Sequence, residues 1–159
     1  MRLEISRDAV HAILAEAAAH PDREICGLLL GHGMRVSRVV PCRNVAENPA
    51  TAFEIDPAAL IAAHRGVRDG KSAVIGHYHS HPTGAALPSR RDADAAAGDG
   101  AIWIIASGGA LSSWRAVAGG SVLGAFEPIN CDLMADGCTT VAPSPEQDGP
   151  VVANESIFE

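Results

Sequence analysis

The chain has 159 residues, 47% hydrophobic and 19% charged, enough apolar material for one packed domain. A formal net charge of −7 argues against a nucleic-acid binder, which needs a basic stripe, and no stretch approaches the roughly 20 apolar residues of a membrane span. Four cysteines with no apolar signal region near the start fit a reducing, cytoplasmic setting better than a disulfide framework.

Ser6 is placed to cap a first helix running to about Ala19, in which Val10, Ile13, Leu14 and Ala17 recur at helical spacing; His20-Pro21-Asp22 ends it. Strands are expected over 24–31 and 35–41, with Gly31-His32-Gly33 as the hairpin signal. An irregular segment follows from Cys42 to Asp56, and Asp56-Pro57 then opens a second helix to about Arg68. The run 73–79 is apolar, with β-branched and aromatic residues, and reads as a buried strand stopped by Pro82. Ser89-Arg90-Arg91-Asp92 opens an alanine-rich third helix through a capping box, and glycine-bounded strands are expected at 102–106, 111–117 and 122–126. No internal repeat interrupts the order α-β-β-α-β-α-β-β-β. That order predicts an α/β fold with a mixed sheet flanked by helices. The domain is expected over 1–128, and 129–159 as a flexible tail poor in periodicity.

Chemistry concentrates in Gly76-His77-Tyr78-His79-Ser80-His81-Pro82, followed by Ser89 and Asp92. Side chains two apart on a strand share a face, so His79 and His81 can grip one ion, and the helix start brings Asp92 round as a third ligand. Three protein ligands leave a fourth position for water, the arrangement that separates catalytic zinc sites from closed structural ones. From the chain's own composition, the pattern His-x-His-x7-Ser-x2-Asp is expected about 10⁻³ times by chance. His77 lies on the same face and is either a competing ligand, a support for the ligands or a packed core histidine. A metal site of this type also needs a base. Glu24, at the start of a hydrophobic strand, is better placed than Glu4, Glu16, Glu47 or Glu54, although a lone glutamate there also reads as a solvated charge.

Taken together, Glu24 before Cys26-Gly27-Leu28-Leu29-Leu30-Gly31, then Gly76 through Pro82, Ser89 and Asp92, resembles the JAMM/MPN+ zinc metalloproteases, most of all their small prokaryotic members. The resemblance runs from about Glu4 to Glu127 and fills all five functional positions. It implies the deaminase-like (JAB1/MPN) α/β sandwich and one Zn²⁺ on His79, His81 and Asp92, with Glu24 as general base and Ser89 stabilising the oxyanion. It also implies an isopeptidase or peptidase acting at the C-terminal Gly-Gly of a ubiquitin-like sulfur-carrier protein. Two other readings stay open: hydrolysis of short peptides or peptide-like metabolites, and a non-catalytic zinc-stabilised MPN binding module.

The remaining features are less specific. The 42–56 segment reads either as a surface connector or, by the resemblance, as a region beside the substrate tail. Arg90-Arg91 reads as a solvated helix start or as a device that steers a substrate carboxylate. Cys131 and Cys138 are too isolated for a second zinc site, and Cys26 reads as a small core hydrophobe.

Overall fold

The computed structural model describes residues 1–67 and 72–145. In chain order the elements are β1 (Arg2–Ser6), α1 (Arg7–Ala19), β2 (Cys26–His32), β3 (Arg35–Cys42), α2 (Pro57–Val67), β4 (Ala73–Ser80), α3 (Arg90–Ala95), β5 (Asp99–Ser107), β6 (Ala110–Gly120), β7 (Gly124–Met134) and β8 (Thr140–Val141). The strands form one mixed sheet in the order β1-β7-β6-β5-β4-β2-β3-β8, which curls until β1 also pairs with β3 at Glu4 and Arg35. This is a mixed-sheet α/β fold with few helices. No described helix is long and apolar enough to cross a membrane.

Alternation along the strands assigns the two faces of the sheet. Leu29, Tyr78 and Ile104 pack with Ala9 and Ile13 of α1, so α1 covers one face. Cys26 and Leu28 pack towards Ala59 and Ala63 of α2, and Trp103 and Ile105 towards Ala93 of α3, so the other two helices lie on the opposite face. The β2–β4–β5 centre is tight. A Cβ on Gly76 would fall on the Ile102 carbonyl of the neighbouring strand, and one on Gly27 would enter the buried Tyr78 ring. Glycine at these positions is a condition for the strands to lie side by side.

The helices fall where capping chemistry puts them. The Ser6 side chain accepts from the Ala9 N–H, and Ser89 with Asp92 forms the reciprocal capping box of α3. α3 spans only six residues, and the expected end of α2 at Arg68 lies outside the described residues. β1 was not expected. It shows just two apolar positions, Leu3 and Ile5, both fully buried, too short an alternation to stand out from a charged N-terminus.

The expected boundary at 128 falls inside β7. That strand continues to Met134, because residues 130–134 pair in parallel with β1, a partner unseen in the sequence. Thr139 is buried, donating to the Val36 carbonyl and accepting from the Ser6 N–H, and β8 lies along β3. The rest of the expected tail, 146–159, lies outside the described residues.

Candidate metal centre and catalytic cleft

β4 brings His79 to the sheet end nearest α3, and His81 follows just beyond the strand, its N–H still donating to the Ala106 carbonyl of β5. The capping box holds Asp92 opposite them: the Ser89 N–H donates to Asp92 Oδ2 at 2.6 Å, and Ser89 Oγ accepts from the Asp92 N–H at 3.1 Å. His79 Nε2 lies 3.1 Å from His81 Nε2 and 3.1 Å from Asp92 Oδ1, while His81 Nε2 lies 3.3 Å from Asp92 Oδ2. Three donors about 2.0–2.1 Å from one tetrahedral ion stand about 3.3–3.4 Å apart, so this spacing fits a shared ion. Among the described residues these three form the group able to hold a metal.

The electrostatics fit the same use. Burial pushes the Asp92 carboxyl up, but its hydrogen bonds to His79 and His81 outweigh this and hold it below the usual range, as the carboxylate a cation needs. Burial lowers the His79 pKa, which favours the neutral, ligating imidazole. For His81, burial lowers the pKa, and hydrogen bonds to Asp92 and the Ala85 carbonyl more than offset it. A carbonyl only accepts, so His81 Nδ1 donates to Ala85 at 3.2 Å, and in the neutral ring the Nε2 lone pair then faces the cluster.

Glu24 sits across the cleft, on the residues leading into β2. Its N–H donates to the Pro49 carbonyl at 2.7 Å and its carbonyl accepts from Asn44 Nδ2 at 2.9 Å. The next residue, Ile25, donates to Ser80 Oγ at 2.9 Å and accepts from the Ser80 N–H at 3.0 Å. The Glu24 side chain is buried, and burial raises its pKa to about 7. A carboxyl poised there exchanges protons readily at neutral pH. Glu24, Ser89, Asp92, Phe53 and Trp103 line one cavity of about 310 Å³. In the cap Ser89 Oγ serves as an acceptor, and no described hydrogen bond uses its proton.

His77 lies outside the cluster. Its ring meets Trp103 edge-on at 4.1 Å and Phe53 at 5.4 Å, and burial lowers its pKa to about 3, as for a packed neutral imidazole.

Three further residues organise the site and were given no role from sequence. Ser80 joins the ligand strand to the Glu24 strand. Phe53 stacks on the His79 ring at 4.3 Å and 17°, fixing its plane. Asn44 donates to the Glu24 and Ala52 carbonyls and accepts from the Ala46 and Glu54 N–H groups, so the irregular 42–56 segment is stapled to the cleft. It forms one antiparallel bridge, Asn44 with Ile55. In the sequence, Ser80 stands between the two histidines, and the 42–56 segment reads as a connector or as a region beside the substrate tail, with no role for Asn44 or Phe53.

A curled mixed sheet with a His-His-Asp cluster at the end of its central strand defines a JAB-type α/β domain, and residues 6–117 match the model described as prokaryotic homologs of the JAB domain. The chain belongs to that family. It is similar to the desampylase of Haloferax volcanii, with 33% identity over 112 residues, 67% of this chain and 81% of that one. The probable TtuB-protein conjugate cleaving protease of Thermus thermophilus is 43% identical over 83 residues, 50% of this chain and 56% of that one. The CysO-cysteine peptidase of Mycobacterium tuberculosis is 33% identical over 108 residues, 66% and 73%. A solution structure from Desulfitobacterium hafniense superposes with a TM-score of 0.69 at 25% identity, covering 86% of this chain and 94% of its own.

Proposed function

We propose that this protein is a zinc metallopeptidase that hydrolyses the peptide or isopeptide bond at the C-terminal Gly-Gly of a ubiquitin-like sulfur-carrier protein. The names of three relatives support the substrate class: a desampylase, a TtuB-conjugate protease and a CysO-cysteine peptidase. The observation that carries the reading is the convergence of three ligating atoms and a buried carboxyl of raised pKa on one cleft. The catalytic unit is the domain expected over 1–128, extended through the rest of β7 and β8, and its helix–sheet–helix layering is assigned to the deaminase-like sandwich class.

His79, His81 and Asp92 would hold the ion. When bound, zinc supplies Lewis acidity to the scissile carbonyl and to water. Glu24 takes a proton from the attacking water and delivers it to the leaving amine, which keeps that nitrogen on the Glu24 side of the cleft. Ser89 turns its unused O–H towards the developing oxyanion; losing one such donor typically costs about 10²–10³ in rate. Phe53 and Trp103 give the cavity apolar walls that keep bulk water from the reacting carbonyl.

The three-ligand cluster favours this over a closed structural site, since no fourth ligating group joins it among the described residues. The test is cleavage of a ubiquitin-like carrier fused beyond its Gly-Gly. Cleavage that stops on chelation and returns with zinc supports the proposal. Metal-independent cleavage, or none with zinc bound, contradicts it.

A further inference from the structure

We infer that Arg91 selects the leaving group, binding the free α-carboxylate of a single amino acid attached to the carrier's Gly-Gly end. This rests on the function proposed above and narrows it from protein conjugates to carrier–amino-acid adducts. Three observations carry it. Arg91 lines the same cavity as Glu24, Ser89 and Asp92, and among the described residues it is the one lysine or arginine that does so. It is solvent-exposed at its outer edge and makes no ion pair or hydrogen bond among the described residues, so its fork of donors is available. Its charge reaches the catalytic side, where it acts to lower the Glu24 pKa against the dominant effect of burial.

The reaction geometry puts the α-carboxylate within reach. Glu24 protonates the leaving nitrogen, so that nitrogen lies beside Glu24, and an amino acid's carboxylate is two bonds from it. A lysine isopeptide differs: its leaving nitrogen is followed by four methylenes and a neutral backbone, with no carboxylate near the site. With zinc bound, its charge would be offset by Glu24 and Asp92, so a guanidinium at the mouth would supply the net positive charge and offer bidentate geometry for a carboxylate. Arg90 precedes it on the same helix but does not line the cavity, which makes it an internal control.

The experiment uses the zinc-loaded full chain and a ubiquitin-like carrier whose Gly-Gly terminus bears alanine, alaninamide, or the side chain of Nα-acetyl-lysinamide. The wild type is expected to cleave the alanine adduct about 10- to 100-fold better in kcat/KM than the alaninamide adduct, the range of one charge-assisted pair. Arg91→Ala should erase that preference, read as the ratio of alanine to alaninamide cleavage, and leave zinc content unchanged, while Arg90→Ala keeps the preference. Equal wild-type rates on alanine and alaninamide would overturn the assignment and leave the metallopeptidase reading intact. An Arg91→Ala loss that is the same on all three adducts would make the role structural and overturn it too. Cleavage of none of the three would overturn this assignment together with the function it rests on.

Discussion

Replacing Ser80 with alanine isolates the joint between the two halves of the site. Ser80 is 3% exposed and Ile25 5%, and Ser80 Oγ accepts from the Ile25 N–H at 2.9 Å, shielded from bulk solvent. Alanine keeps the backbone pairing but leaves that N–H buried without a partner. Such an orphan costs about 1–3 kcal/mol. For a chain of this size that lowers the melting temperature by about 2–12 °C. The effect is also local. Glu24 precedes Ile25 directly, so Ser80→Ala frees Glu24, the proposed base, while His79, His81 and Asp92 keep their own contacts. Zinc stoichiometry should therefore hold while kcat falls. Urea unfolding reads the stability, and amide hydrogen exchange at Ile25 reads the bond itself. Stability within about 0.5 kcal/mol of wild type, with Ile25 still protected from exchange, would refute the reasoning.

Asp92→Ala should lose the metal and turnover together, checked by metal analysis and the carrier assay; a variant that retains both would remove Asp92 from the ligand set. Gly76→Ala places a Cβ on the Ile102 carbonyl and should destabilise by about 1–3 kcal/mol or prevent folding, measured by urea unfolding; wild-type stability would contradict the strand packing. Burial raises the folded-state pKa of Glu24 from 4.5 to about 7, so its contribution to the stability of the metal-free protein is complete below 4.5 and is lost as the pH rises through 7. Metal-free wild type and Glu24→Gln should therefore match near pH 4.5, with wild type the less stable of the two at pH 8. A wild type that gains on the variant as pH rises would reverse the sign.

The metal cluster was legible because local rules bring its members together. Strand alternation, the stop at Pro82 and the Ser89–Asp92 cap are each written within a few residues, and between them they gather three groups that could hold an ion. Glu24 was harder: its place across the cleft depends on β2 pairing with β4, a contact between residues some fifty positions apart. The supporting groups were not legible, since Phe53 reaches His79 through an irregular segment whose path is set by one asparagine side chain. The same holds for the C-terminal part of the fold. β7 overran its expected end because the partner strand β1 is short and lies at the other end of the chain, where neither strand reveals the other. Arg91 was visible as one of a basic doublet, but only the cavity separates it from Arg90.

In the proposed function, zinc on His79, His81 and Asp92 acts together with Glu24 on a carrier's Gly-Gly terminus. The most direct measurement compares wild type and Glu24→Gln for bound zinc and for cleavage of a ubiquitin-like carrier fusion. One zinc is expected in each protein, with cleavage by wild type alone. Normal turnover by Glu24→Gln, or a wild type that binds no zinc, would contradict it.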